Sequence, residues 1–144
     1  MATDPTFPRV YRRLGDLYYE RKDFVHAYDN YEKVIRLTPD DIRATLQAGN
    51  CARRLGRLAE ADRLFQKAEK VRPDSWIPTY NRACLLAINH HPEQALAMLT
   101  SLVQRRRIPP ALVERDFDLA SMRALPGYAE LRKRLLPADE DDLE

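Results

Sequence analysis

Residues 11–39 of this 144-residue chain read YRRLGDLYYERKDFVHAYDNYEKVIRLTP, and this stretch decides the fold. Its apolar and small side chains return at intervals of three and four residues, which places them on one face of an α-helix. Tyr11, Gly15 and Tyr18 share such a face. Pro39 disfavours helix in the residue before it. The stretch therefore predicts two helices and then a break.

The same residue classes return every 34 positions along the chain. The matching positions are Ala27, Ala61 and Ala95; Tyr31, Phe65 and Leu99; Val34, Ala68 and Leu102; Leu14-Gly15 and Ala48-Gly49; and Pro39-Asp40 and Pro73-Asp74. Small residues at Gly15, Gly49 and Ala83 would let two helix backbones approach closely. A period of this length predicts a repeated two-helix unit.

In the first unit, Tyr11-x2-Leu14-Gly15-x2-Tyr18, Ala27-x3-Tyr31 and Pro39 resemble the tetratricopeptide repeat (TPR) nearly position for position. The resemblance implies an all-α fold, a right-handed solenoid of helical hairpins (an α-α superhelix). We expect repeats over residues 8–107, divided into units 8–41 and 42–75 and a degenerate unit 76–107. The third unit lacks the closing proline, and Arg107 takes its place.

The next segment, from Asp116-Phe117-Asp118 to Tyr128 and Leu131, resembles the closing segment of many small bacterial TPR proteins. We expect capping helices within residues 108–136 and a disordered acidic tail at 137–144, because five of the last eight residues are acidic and none is basic. The predicted helices cover residues 8–21, 24–37, 42–55, 58–71, 76–89 and 92–106, with a short helix near 117–124 and a longer one near 127–136.

Composition excludes several classes of protein. The chain is 44% hydrophobic and 32% charged, with a mean hydropathy of −0.57, so it is neither collagen-like nor wholly disordered. No apolar run approaches the roughly 20 residues that cross a bilayer. The start of the chain has no secretion-signal pattern, and two cysteines cannot form a disulfide framework. We therefore expect a cytoplasmic protein that does not act at a membrane.

The sequence offers no catalytic, cofactor or metal site. The four glycines stand singly, without a phosphate-binding loop. Cys51 and Cys84 fall inside predicted helices, where a buried, inert thiol is expected. His90 and His91 lie in a predicted turn and lack ligands at metal-binding spacing. We expect a protein that is not an enzyme and holds no cofactor.

Helix geometry locates a candidate binding surface. Each repeat is numbered here from Pro8, Ile42 or Trp76. At about 100° per residue, repeat positions 2, 5, 9 and 12 form a stripe separate from the packing positions. The TPR resemblance implies that this stripe lines a concave groove for peptides or partner helices. The candidate groove residues, with those of adjacent position 6, are Arg9, Arg12, Arg13, Asp16, Tyr19, Arg43, Gln47, Asn50, Arg53, Tyr80 and Asn81.

The groove residues indicate an acidic ligand. Arginine guanidinium groups form paired hydrogen bonds with carboxylates. Side-chain amides can hydrogen-bond to a peptide backbone, and Tyr80 would supply an apolar anchor. The carboxylate clamp with which some TPR proteins hold chaperone C-termini is poorly matched, since only Arg12 and two asparagines approximate it. Nucleic acid is not expected, because the isoelectric point near 8.6 is below the value of about 9 typical of dedicated binders. The acidic tail could itself occupy the groove, and the chain could form a homo-oligomer.

These observations predict a non-catalytic adaptor, scaffold or co-chaperone-like protein that binds an acidic peptide or partner segment in a bacterial cytoplasm. One alternative is a chaperone resembling the three-repeat chaperones of type III secretion. Another is a regulatory or accessory subunit of an enzyme complex.

Overall fold

A computed structural model describes residues 7–105 and 108–135. The helices are α1 (Phe7–Glu20), α2 (Phe24–Leu37), α3 (Ile42–Arg54), α4 (Leu58–Val71), α5 (Ile77–Ile88), α6 (Pro92–Arg105), α7 (Pro110–Arg115), α8 (Ala120–Arg123) and α9 (Tyr128–Leu135), with a 3-10 turn at Phe117–Leu119. The described residues contain no strand. The predicted all-α fold class is confirmed.

The chain forms two compact units, the first ending at Pro78 and the second beginning at Thr79. The boundary falls inside α5. We describe the two units separately, as unit 1 and unit 2.

Unit 1 consists of two helical hairpins whose consecutive helices pack against one another, α1 on α2, α2 on α3 and α3 on α4. Glycines permit the close packing within each hairpin. A Cβ atom on Gly15 would lie 2.7 Å from Cε1 of Tyr31, and one on Gly49 would lie 2.5 Å from Cε1 of Phe65. Both rings are completely buried. The glycine on one helix and the ring on the next therefore form the contact that the 34-residue repeat encodes.

The turn inside each hairpin has the same backbone conformation. Lys22, Gly56 and His90, spaced 34 residues apart, have φ angles of 61°, 77° and 66°. The backbone N–H of the next residue bonds back into the preceding helix, as in Asp23 N to Tyr18 O (2.9 Å) and His91 N to Leu86 O (2.8 Å). This is the left-handed helix cap that glycine fits best. Only the second repeat supplies a glycine there.

Unit 2 contains the hairpin α5–α6 and the segments after it. Ala95, Leu99 and Leu102 are buried at the repeat positions predicted for them, and α8 and α9 pack against α6. Leu131 and Leu135 of the last helix are also buried. Sequence reasoning missed α7, because Pro109-Pro110 predicts a break. Pro110 instead occupies the first turn of α7, where proline is favoured.

Candidate functional site

The polar stripes of α1 and α3 meet on one face of unit 1, which we call the arginine face. Its residues are Arg9, Arg12, Arg13, Asp16, Tyr19, Arg43, Gln47, Asn50 and Arg53, with Asp41 added by the structure. Two ion pairs join the helices. Arg12 of α1 donates to Asp41, and Arg43 of α3 donates to Oδ2 of Asp16 over 3.1 Å. Of the predicted residues, these contacts join Arg12, Asp16 and Arg43 across the two helices.

Both aspartates of this face are held by several donors. Asp16 also accepts a hydrogen bond from the Tyr31 hydroxyl on Oδ1. Asp41 is the N-cap of α3 and accepts from the backbone N–H of Ala44 over 3.1 Å. Burial and the bond to Asp16 raise the pKa of Tyr31, so its hydroxyl remains a donor. The carboxylates of Asp16 and Asp41 are therefore already satisfied from within unit 1.

The cations are held less tightly. Arg43 keeps 63% of its side chain exposed in its ion pair, whereas Arg12 keeps 30%. Arg9 and Arg13 are exposed, and within the described residues neither takes part in an ion pair or hydrogen bond. Each of these exposed guanidinium groups keeps its full fork of donors.

The remaining unit 1 residues frame the arginines. Asn50 donates to Oε1 of Gln47 over 3.1 Å, so the two amides of α3 are oriented side by side. Tyr19 packs edge-on against the ring of Phe24, with 5.3 Å between ring centroids. Arg53 is half-buried and has other interactions within the chain.

The predicted residues of unit 2 have a different environment. Tyr80 is 4% exposed, and its hydroxyl donates to Oδ2 of Asp116 over 2.6 Å. Burial raises its pKa. Cys84 and Ala87 of the same stripe are buried as well, and the Ser121 hydroxyl donates to the Ala87 carbonyl over 3.1 Å. The expectation that Tyr80 is an exposed anchor is corrected, because the segment after α6 covers this stripe. Asn81 is half-buried on α5.

Asp116 organises the covering segment. It caps the 3-10 turn by accepting from the backbone N–H of Asp118 over 3.0 Å. Arg123 also holds the junction between α7 and the 3-10 turn. Its guanidinium group donates to the carbonyl oxygens of Val113 (2.9 Å) and Asp116 (2.6 Å). From the sequence, the Asp-Phe-Asp motif is predicted only to belong to a closing segment. Its role as the partner of Tyr80 depends on a contact that spans 36 residues.

Ligand atoms of Cys84, Asp116 and Asp118 lie within 4.8 Å of one another, a group that sequence reasoning did not identify. The Cys84 thiol faces Oδ2 of Asp116 at 3.7 Å, the oxygen that also accepts from Tyr80. The group is therefore part of the packing of unit 2. In unit 1, burial raises the pKa of the Cys51 thiol to about 12, so the thiol stays protonated at neutral pH.

His90 and His91 are exposed at the turn predicted for them. None of the described helices combines the length and the apolar character that crossing a membrane requires. The acidic tail at 137–144, and with it the idea that the tail occupies the groove, lies outside the described residues.

Two-helix units with a shared register, a glycine-to-ring contact and a repeated left-handed turn define a helical-repeat protein. Sequence models of the tetratricopeptide repeat match residues 8–41 and 42–75. The chain is therefore a TPR protein, as the motif resemblance implied, and its fold belongs to the class of TPR-type helical solenoids. No curated protein sequence matches it significantly.

Solved TPR structures share the fold at low sequence identity. The TPR2B domain of yeast Sti1 in a pHsp70 complex is 18% identical, with a TM-score of 0.64 over 90% of this chain and 96% of that one. The Yersinia enterocolitica chaperone SycD with a peptide of the translocator YopD is 18% identical, with a TM-score of 0.70 over 91% and 97%. MamA from Desulfovibrio magneticus RS-1 is 22% identical, with a TM-score of 0.70 over 92% and 72%. TPR units of this kind are protein-interaction modules.

Proposed function

We propose that the chain is a non-catalytic adaptor that binds an acidic peptide, or an acidic segment of a partner protein, on the arginine face of unit 1. The single observation that carries the proposal is the imbalance of charge on this face. Five arginines stand there against Asp16, Asp41 and, on the same helical row of α1, Glu20. Asp16 and Asp41 already accept hydrogen bonds from within unit 1. Arg9 and Arg13 remain exposed.

The chemistry of the face suits an extended acidic chain. Arg9 and Arg13 would contact ligand carboxylates first, since charge-assisted hydrogen bonds are the stronger kind. Arg43 is exposed enough to share its guanidinium between Asp16 and a ligand. The amides of Gln47 and Asn50 would bond the ligand backbone. Arg12 serves the fold more than the ligand, because it is committed to the helix cap at Asp41.

A type III secretion-like chaperone is the second candidate. The fold match to SycD, whose solved complex holds a YopD peptide, extends over 91% of this chain, and a shared fold alone supports this alternative. The Sti1 complexes with pHsp70 and pHSP90 likewise support a peptide as the ligand class. A regulatory subunit of an enzyme complex would use the same surface, and its function would depend on its partner.

The test uses a fluorescent peptide with the sequence PADEDDLE, which is that of residues 137–144, and the neutral analogue PANQNNLQ. We expect the acidic peptide to bind the full chain, and binding to weaken as salt screens exposed charges. The double variant Arg9→Glu/Arg13→Glu should weaken binding by about tenfold or more, which corresponds to about 1.4 kcal/mol. Fluorescence anisotropy measures both effects.

The matched control is Arg36→Glu/Arg63→Glu, which makes the same change of charge at two exposed arginines of α2 and α4 that lie outside the arginine face. This control should bind within about twofold of the wild type. Because the chain carries its own acidic segment, the titration is repeated with residues 137–144 deleted. Equal losses in the two double variants would refute a ligand site on the arginine face, as would equal binding of the neutral peptide.

A further inference from the structure

A second surface of α1 carries exposed apolar side chains. Phe7, Val10, Leu14 and Leu17, which we call the α1 stripe, are 47%, 49%, 37% and 47% exposed. Their spacing of three, four and three residues aligns them along one side of the helix. Isolated exposed apolar residues are ordinary on protein surfaces, but a continuous row of four marks an interaction surface.

The α1 stripe points away from most of the arginine face, and the two surfaces adjoin at Arg13. At about 100° per residue, the stripe points roughly 150° away from the row that contains Arg9 and Asp16. Gly15 faces a third direction, toward the Tyr31 ring of α2. The first helix therefore has one face that packs on α2, one that carries the arginines and one that no described element covers.

Aromatic pairs border the α1 stripe where α1 meets α2. Tyr18 stacks on the ring of His26, with 5.1 Å between centroids. The Nζ atom of Lys33 lies 5.1 Å from the centroid of the Tyr11 ring. These contacts extend the apolar surface onto α2 and place a cation beside it.

The rim of the α1 stripe is basic. Lys33 borders it on the α2 side, and Arg21 falls on the same helical row as Leu14, one turn past Leu17. Both are exposed. Arg13, three residues after Val10 and four before Leu17, adds a third cation. Of the nearby carboxylates, Asp23 is bonded to Nδ1 of His26 over 2.7 Å, and Glu20 lies about 100° around α1 from the centre of the stripe. Asp29, which lies between His26 and Lys33 on α2, is exposed and leaves the three cations in excess. A ligand on the stripe therefore meets positive charge at its edges.

We infer that the α1 stripe docks an amphipathic helix of a partner protein whose apolar face is flanked by acidic residues. This inference goes beyond the proposed peptide site, because it concerns another side of α1. The stripe runs along a 14-residue helix, about 21 Å long, so about four turns of a partner helix would cover it. A helix laid on a row of apolar anchors is a common mode of recognition.

The charge of the rim selects this occupant over a second copy of the chain. A symmetric contact between two copies would bring each stripe and its rim against an identical stripe and rim. Arg21 and Lys33 of one copy would then face a rim of the same sign, and like charges across an interface oppose association. Acidic flanks on a partner helix would instead complement the rim.

The test uses two synthetic 16-residue helical peptides and the full chain. Both peptides carry leucine at heptad positions a and d; one has glutamate and the other lysine at the flanking positions. We expect the glutamate peptide to bind at least about tenfold more tightly by isothermal titration calorimetry. Binding by the lysine peptide that equals or exceeds that of the glutamate peptide, or no binding by either, would overturn the inference.

Variants of the protein locate the site. Val10→Glu and Leu17→Glu should each lower the affinity for the glutamate peptide by about tenfold or more. Arg21→Glu should lower this affinity by a smaller factor. Val71→Glu at the end of α4 is the matched control, because Val71 is also an exposed valine, at 37%, and should leave affinity unchanged. Far-ultraviolet circular dichroism confirms that each variant is folded.

Two further readouts separate this inference from its alternatives. The acidic octapeptide of the proposed function should still bind when the chain is saturated with the helical peptide. The double variant Arg9→Glu/Arg13→Glu should lower the affinity for the octapeptide more than the affinity for the helical peptide. A loss of octapeptide binding alone would refute the proposed function and leave the α1 stripe intact. Sedimentation velocity that shows a dimer of the full chain, dissociated by Val10→Glu, would replace the partner helix with a second copy and overturn the inference.

Discussion

Arg12 and Tyr80 occupy the same repeat position, two repeats apart, yet their environments are opposite. Arg12 in unit 1 pairs with Asp41 and keeps 30% of its side chain exposed. Tyr80 in unit 2 is 4% exposed and bonds to Asp116. The register of the repeat determines where a side chain stands on its helix. The segment that comes after the hairpin determines whether that position remains available to a ligand.

In unit 1 the neighbouring hairpin supplies polar partners and leaves the arginine face open. In unit 2 the segment from α7 to α8 covers the stripe of α5. The same family motif thus yields an exposed polar surface in one unit and a closed, packed surface in the other. Five experiments test this contrast, in order of decreasing expected effect on stability and ending with ligand binding.

The largest effect should come from truncating the covered position. Tyr80→Ala should lower the free energy of unfolding by about 3–5 kcal/mol, because it leaves a cavity and removes the donor to Asp116. Arg12→Ala should cost about 1 kcal/mol or less, since its ion pair is partly exposed. Urea denaturation of both variants measures the difference. Equal costs would show that the two positions are not distinct in packing.

The next effect concerns the glycine contact of unit 1. Gly49→Ala should destabilise the protein by about 1–2 kcal/mol, because overpacking against the buried Phe65 ring outweighs the gain in helix propensity. Gly127→Ala in unit 2 is the control. Its Cβ would meet only Cδ2 of Leu96, at 3.0 Å, the end of a side chain that can move. If Gly127→Ala changed the free energy of unfolding by more than about 0.5 kcal/mol, the cost at Gly49 could not be assigned to its contact with the buried ring.

The repeated turn should respond alike in both units. Lys22→Gly and His90→Gly should each stabilise the protein by about 1 kcal/mol, because both residues hold a left-handed backbone that costs non-glycine residues energy. Gly56→Ala should destabilise by a similar amount, although nothing lies within 4 Å of the added Cβ. Thermal denaturation gives the sign of each change. Destabilisation by either glycine would show that the native side chain contributes more than its backbone costs.

The smallest effect on stability is electrostatic. The His26 backbone N–H donates to Asp23 over 3.2 Å, and this bond, together with the His26 ring, lowers the pKa of Asp23 from its usual 3.8. The ionised Asp23 carboxylate therefore stabilises the fold above pH 3.8. This stabilisation is lost as the pH falls through the lowered pKa that Asp23 has in the folded state. Asp23→Asn should flatten the loss of stability in acid, measured as urea midpoints at decreasing pH. Asp29→Asn on α2 controls for the loss of one negative charge, and an identical acid slope in wild type and Asp23→Asn would contradict the assignment.

Much of the fold could be predicted because the periodicity that encodes it is local. The six repeat helices begin and end within one residue of the predicted bounds, since their buried faces recur at fixed spacing. The helix α7 was missed because a proline pair signals both the end of one helix and the start of another. The left-handed turns at Lys22 and His90 were missed because only Gly56 carries the residue type that signals them.

The candidate site could be predicted only in part. Helical geometry placed Arg12, Asp16 and Arg43 on facing stripes, and the structure joins those stripes. The partners Asp41 and Asp116 lie 29 and 36 residues away from the side chains they bind. No local pattern specifies such pairings, because they depend on how helices distant in sequence come together.

The most direct test of the central claim is a nuclear magnetic resonance titration of the isotope-labelled full chain with the PADEDDLE peptide. The open arginine face predicts that the amide signals of Arg9, Arg13 and Arg43 shift, together with the side-chain amide of Asn50, while those of Tyr80 and Cys84 stay in place. Shifts concentrated on α5 and the segment that covers it, with none on α1 and α3, would contradict the account.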